Sequence, residues 1–121
     1  MRHQKSVVWI ASSKSDLRDF PVDVRRVFGV AINDAQNGEE HPDAKALKGF
    51  GGRSVLEVVD DYDGDTYRAV YTIKFAEVVY ILHCFQKKAK KGSETPKHDM
   101  ELIRHRLKTA ELHYRSGFGK G

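Results

Sequence analysis

Arg68, Lys87 and Lys88 are the residues whose type and spacing could hold a phosphate, and Lys90 and Lys91 extend the same basic run. A guanidinium is a rigid fork that can give a phosphate two parallel hydrogen bonds. A cation fixed in advance beside a phosphodiester stabilises the negative charge that gathers when phosphorus is attacked, worth on the order of several kcal/mol in a dry site. Lys48 and Arg53 are placed to grip the backbone on either side. Such chemistry also needs an acid or base that titrates near about pH 7. His83, Glu57 and His98 are the candidates.

These side chains need elements to position them. Val7–Ile10 is a short apolar run bounded by Ser12-Ser13, which predicts a buried strand. Ser15 is a cap candidate for a short helix from Asp16. Pro21 suits the first turn of a second helix, whose apolar stripe is Val24, Val27, Phe28, Ala31, Ile32 and Ala35. Gly29 is a local conflict within it, and Asn37-Gly38 is its stop signal. Residues 39–52 read as a loop. Strands follow over 54–59, 67–75 and 78–85, with an Asp-rich turn between the first two. Links this short dictate an antiparallel meander. Tyr67, Ala69 and Tyr71 alternate with Arg68, Val70 and Thr72, so Arg68 lies on the face opposite its aromatic neighbours. By the same alternation His83 and Leu82 point to opposite faces. Thr95-Pro96 opens a last helix, with Thr95 as cap and Met100, Ile103, Leu107 and Ala110 on its buried side. The expected fold is α+β, in the order β-α-α-β-β-β-α. It is an antiparallel-dominated sheet with helices on one face, leaving the other face or an end for function. Residues 1–121 form one domain, with a flexible tail over 116–121.

Lys45-Ala46-Leu47-Lys48-Gly49, the strand Leu56-Glu57-Val58, Tyr67-Arg68-Ala69-Val70-Tyr71, Leu82-His83-Cys84-Phe85-Gln86-Lys87-Lys88 and Thr95-Pro96 occur in that order. Together they resemble the RelE/ParE superfamily of type II toxins, in its HigB-like, phage-related branch. The resemblance spans about residues 7–112. It implies a toxin that cleaves mRNA on the ribosome without a metal or other cofactor. The ribose 2′-hydroxyl would attack its own phosphate, with Arg68, Lys87, Lys88 and His83 as catalytic residues. Lys48, Arg53, Lys90 and Lys91 would bind RNA. It also implies a cognate antitoxin, a small helix-turn-helix DNA-binding protein, in a hetero-oligomer. Two alternatives come with the superfamily: a ParE-like gyrase inhibitor without chemistry, and a non-toxic phage-derived domain that binds nucleic acid.

The same residues admit structural roles. Arg68 pairing with Glu57 across the sheet, a solvated or antitoxin-docking lysine loop, and a satisfied strand histidine at 83 are the plain alternatives. Other signals fail on spacing. Counted from Asp61, the sixth residue of the Asp61–Asp65 turn is Thr66 and the twelfth Thr72, so it is no calcium loop. His98, His105 and His113 stand too far apart to chelate one ion. Gly49–Gly52 lacks the Lys-Ser/Thr of a phosphate loop.

Composition sets the outer bounds. The 121 residues are 40% hydrophobic and 31% charged, enough apolar surface for an unstapled core. No apolar run is long enough to span a membrane, and the N-terminal run is too short for a secretory leader. One cysteine forms no internal disulfide, which fits a reducing, cytoplasmic setting. The net charge is +4, divided unevenly: residues 83–121 carry +6 and residues 1–82 carry −2. That asymmetry suits a polyanion or an acidic protein as partner.

Overall fold

Alternation along the strands produces two apolar faces, and both are covered. The computed structural model describes residues 4–87 and 94–117. Strands β1 (Ser6–Trp9), β2 (Ala44–Ala46), β3 (Val55–Tyr62), β4 (Asp65–Thr72) and β5 (Val78–Lys87) form one sheet in the order β1-β5-β4-β3-β2. The helices are α1 (Ser13–Arg18), α2 (Val22–Gln36) and α3 (Lys97–Gly117). The meander β3-β4-β5 is antiparallel as expected. β1 runs parallel to β5, with Ser6 opposite Val78. β2 lies inside the segment expected to be loop and pairs antiparallel with β3.

On one face, Leu17 of α1 and Val24, Phe28, Ala31, Ile32 and Ala35 of α2 pack onto Leu56, Val58, Ala69, Tyr71, Val79 and Ile81. On the other, Ile103 and Ala110 of α3 pack onto Val55, Val70, Val78, Tyr80 and Leu82. The α+β class holds, and the element order holds apart from the added β2, but the helices divide between the faces. The meander therefore has no bare face, because α3 occupies the side expected to stay open.

Two local features set the geometry. Asp63 (φ 53°) and Gly64 (φ 85°) close the β3–β4 hairpin between the paired residues Tyr62 and Asp65. Positive φ at both central residues makes this a turn that matches strand twist. The second feature is a bulge: Val70 pairs with His83, but Tyr71 pairs with Ile81. Leu82 is the extra residue. A bulge resets the alternation, so Leu82 and His83 both serve the α3 side while Ile81 and Cys84 serve the other. This corrects the expected opposition of Leu82 and His83. At the C-terminus α3 continues through Ser116 and Gly117, so the first two residues of the expected tail are helical, and the rest of it lies outside the described residues.

Candidate functional site

Arg68 sits mid-β4 on the face covered by α3, and its side chain is only 3% exposed. Its Nη1 donates to both carboxylate oxygens of Glu57 on β3, at 3.2 Å each. Thr95 reaches in from just before α3 and donates its hydroxyl to Glu57 Oε2 at 2.9 Å. Thr95, expected to cap the helix, thus ties the start of α3 to the sheet. The guanidinium expected on an open surface lies instead in a buried ion pair beneath that start. The cause is the placement of α3: with that helix over this face, the Arg68 charge is shut off from water and matched by the Glu57 carboxylate.

His83 is likewise an interior residue, 6% exposed. Its ring stacks on Phe85, with centroids 4.6 Å apart. Nδ1 faces Arg106 Nη1 at 3.2 Å, and Nε2 lies 2.8 Å from Asp99 Oδ1. Arg106 can only donate, so Nδ1 accepts and Nε2–H donates to Asp99. Burial pulls the His83 pKa below its ordinary 6.5, and the Arg106 charge pulls the same way. The hydrogen bond to Asp99 opposes them. His83 is therefore neutral near pH 7, with both ring nitrogens engaged.

Arg106 extends this network. Its Nη1 also donates to the Leu82 carbonyl at 2.9 Å, and its Nη2 to Ser12 Oγ at 3.3 Å. Ser12 in turn donates to Asp16 Oδ2 at 2.8 Å. One polar chain thus joins α3, the β5 bulge and α1. Sequence reasoning missed Arg106 and Asp99. The signal was present: positions 99, 103, 106 and 110 follow the three- and four-residue spacing of the buried stripe, so polar residues at 99 and 106 face the sheet.

The expected lysines and arginines divide in a different way. Lys87 ends β5 opposite Thr66, on the same face as Arg68, and its Nζ donates to the Glu94 carbonyl at 2.8 Å. Lys88, Lys90 and Lys91 lie outside the described residues. Arg53 forms an ion pair with Glu40 at 2.5 Å, and Lys48 is exposed. His98 is exposed in the first turn of α3. An open depression of about 360 Å³ lies beside β5, lined in part by Asp16, Asp19, Phe20, Tyr67 and Gln86. Of the expected catalytic residues His83 lines it; none of the described expected lysines and arginines does, and its two carboxylates disfavour a phosphate. Cys84 on its wall is no nucleophile, because burial pushes its thiol up to about 12. Among the described residues no group of three or more His, Cys, Asp or Glu could hold a metal ion. Nor is any helix among them long and apolar enough to cross a membrane.

A family model described as phage-derived protein, Gp49-like (DUF891), matches residues 15–108. The chain belongs to the Gp49-like family. This is a family of RelE type, and the matched stretch runs from α1 into α3, through every element that carries the site. Among solved structures, the Gp49-like chain is similar to the toxin–antitoxin complex RelBE2 from Mycobacterium tuberculosis. The identity is 20% and the TM-score 0.46, over 72% of this chain and 95% of that one. Comparison with curated proteins gives no match.

Proposed function

We propose that this Gp49-like protein is the toxin of a type II toxin–antitoxin pair, of the HigB-like branch, and that it cleaves mRNA on the ribosome. The observation that carries this reading is the family match across residues 15–108. The basic C-terminal third supports an RNA partner. In this reading, Lys87 at the end of β5, together with Lys88, stabilises the phosphate during attack by the 2′-hydroxyl. Arg68 acts as a positioning residue: through Glu57 and Thr95 it fixes the start of α3 against that strand end. His83 holds the bulge rather than moving a proton. Lys48 and Arg53 stand among the RNA-binding residues, with Lys90 and Lys91. A helix-turn-helix antitoxin is the proposed partner.

A second reading has its own support. Burial of Arg68 and saturation of both His83 nitrogens favour a toxin that binds its target without chemistry, as a gyrase inhibitor does. Controlled expression in a bacterial host separates the two. Growth arrest with new mRNA 5′ ends inside coding regions is the expected result. Arrest with intact transcripts, an SOS response and broken DNA would establish the gyrase reading in its place. No arrest at all would leave a non-toxic binding domain. Co-purification with the product of the adjacent gene tests the antitoxin.

A further inference from the structure

α3 carries a row of cations that the site above does not use. Lys97, Arg104, Lys108 and Arg115 are all exposed. They are spaced by seven, four and seven residues. At about 100° per residue they fall within roughly 40° of one another around the helix. At about 1.5 Å per residue the row is about 27 Å long. None of the four is in an ion pair among the described residues, whereas Arg26, Arg53, Arg68 and Lys74 each have a carboxylate. The acidic residues of the same helix do not neutralise the row. Asp99 is turned inward to His83 and Glu111 is held by Lys74. Glu101 alone is an exposed flank. Arg104 has a neighbour that steadies it: it lies over the Phe50 ring at 5.5 Å. Gly49 approaches it so closely that a Cβ there would stand 3.1 Å from Arg104 Nη2.

We infer that this face of α3 is a docking surface for the phosphate backbone of double-helical RNA. A straight row of unpaired cations complements a regular line of phosphates. Among the described residues the row offers no exposed aromatic ring on which an unstacked base could lie, and single-strand binding relies on such platforms. Phe50, the nearest ring, is capped by Arg104. The choice of RNA over DNA rests on the proposed action on the ribosome, where the folded RNA of the particle presents such helices.

The test uses the full chain and a labelled, blunt RNA hairpin with a long stem, with binding followed by anisotropy over a range of salt. A variant with Lys97→Gln, Arg104→Gln, Lys108→Gln and Arg115→Gln is compared with a control that removes the same charge elsewhere: Lys14→Gln, Arg18→Gln, Arg25→Gln and Arg26→Gln. The stripe variant is expected to bind at least tenfold more weakly, with a slope of log K against log salt shallower by about 2–4. The control should keep most of the affinity. Circular dichroism verifies the fold, and if loss of the Arg104–Phe50 contact unfolds the variant, the version retaining Arg104 replaces it. Equal losses in both variants would overturn the proposal, leaving only net charge. Tighter binding to an all-DNA duplex, or stripe-dependent binding to polyglutamate but not RNA, would overturn it as well. Growth arrest on induction reports separately on the toxin reading: arrest without hairpin binding sinks the docking surface alone.

Discussion

The Arg68 guanidinium is held out of water by the Glu57 carboxylate, and each charge depends on the other. Removing Arg68 alone leaves Glu57 buried, with Thr95 its remaining side-chain partner among the described residues. Arg68→Ala is expected to cost about 3–5 kcal/mol of stability, read from urea unfolding. The double change Glu57→Leu with Arg68→Met removes both charges and fills the space, and should recover most of that loss. A double variant as unstable as the single one would contradict the account. This matters for function, because loss of toxicity in Arg68→Ala does not identify a catalytic arginine until the fold has been checked. His83 gives a second residue-level test. Its folded-state pKa lies below its ordinary 6.5, so above about pH 6.5 it is neutral in both states and adds no pH dependence. As pH falls below that value the unfolded chain takes up the proton first, and stability declines until the folded-state pKa is passed. His83→Gln should therefore flatten the fall in urea midpoint between about pH 7 and pH 5. An unchanged slope would show that another group is responsible.

Two glycines show how an element's geometry decides the sign of a substitution. Gly29 lies inside α2, and a Cβ added there meets nothing within 4 Å. Gly29→Ala should stabilise by about 0.5–1 kcal/mol, through higher helix propensity and a less flexible unfolded chain. Gly64 holds φ +85° in the hairpin, and Gly64→Ala should destabilise by about 1–2 kcal/mol. Thermal melts of the two variants should move in opposite directions. The conflict noted at Gly29 from sequence was thus real but small, and the stripe Val24–Phe28–Ala31–Ile32–Ala35 outweighed it. The meander was legible for the same reason: its strands alternate and its turns are short. β2 was not, because Ala44–Ala46 is only three residues, of low strand propensity, beside Pro42 and the glycines. Nor was the bulge, since one extra residue in β5 leaves the sequence pattern locally plausible in either register. The missed bulge explains the missed site geometry. It turns His83 toward α3, where Asp99 and Arg106 wait on positions that the apolar stripe alone marked as buried.

At the scale of the whole molecule, the sheet separates two apolar layers, and few polar ties cross its edge. Arg106 makes the main one, joining α3 to the Leu82 carbonyl, to His83 and to Ser12 before α1. The layers should therefore lose coordination when its fork is lost, even if charge is kept. Arg106→Lys cannot span three acceptors on two elements with one ammonium. Hydrogen bonds to charged groups contribute about 1.5–3 kcal/mol each, so a loss on the order of 3 kcal/mol is expected. Native-state hydrogen exchange distinguishes a local effect from a coupled one. If Arg106 links the layers, amides of α1 and of α3 should both exchange faster in the variant, while the β3–β4 hairpin stays protected. Faster exchange confined to α3 would mean that α1 is held by Leu17 and its apolar neighbours alone. The distinction bears on any partner that grips α3, because only a coupled network would carry that contact through β5 to the helix on the far side.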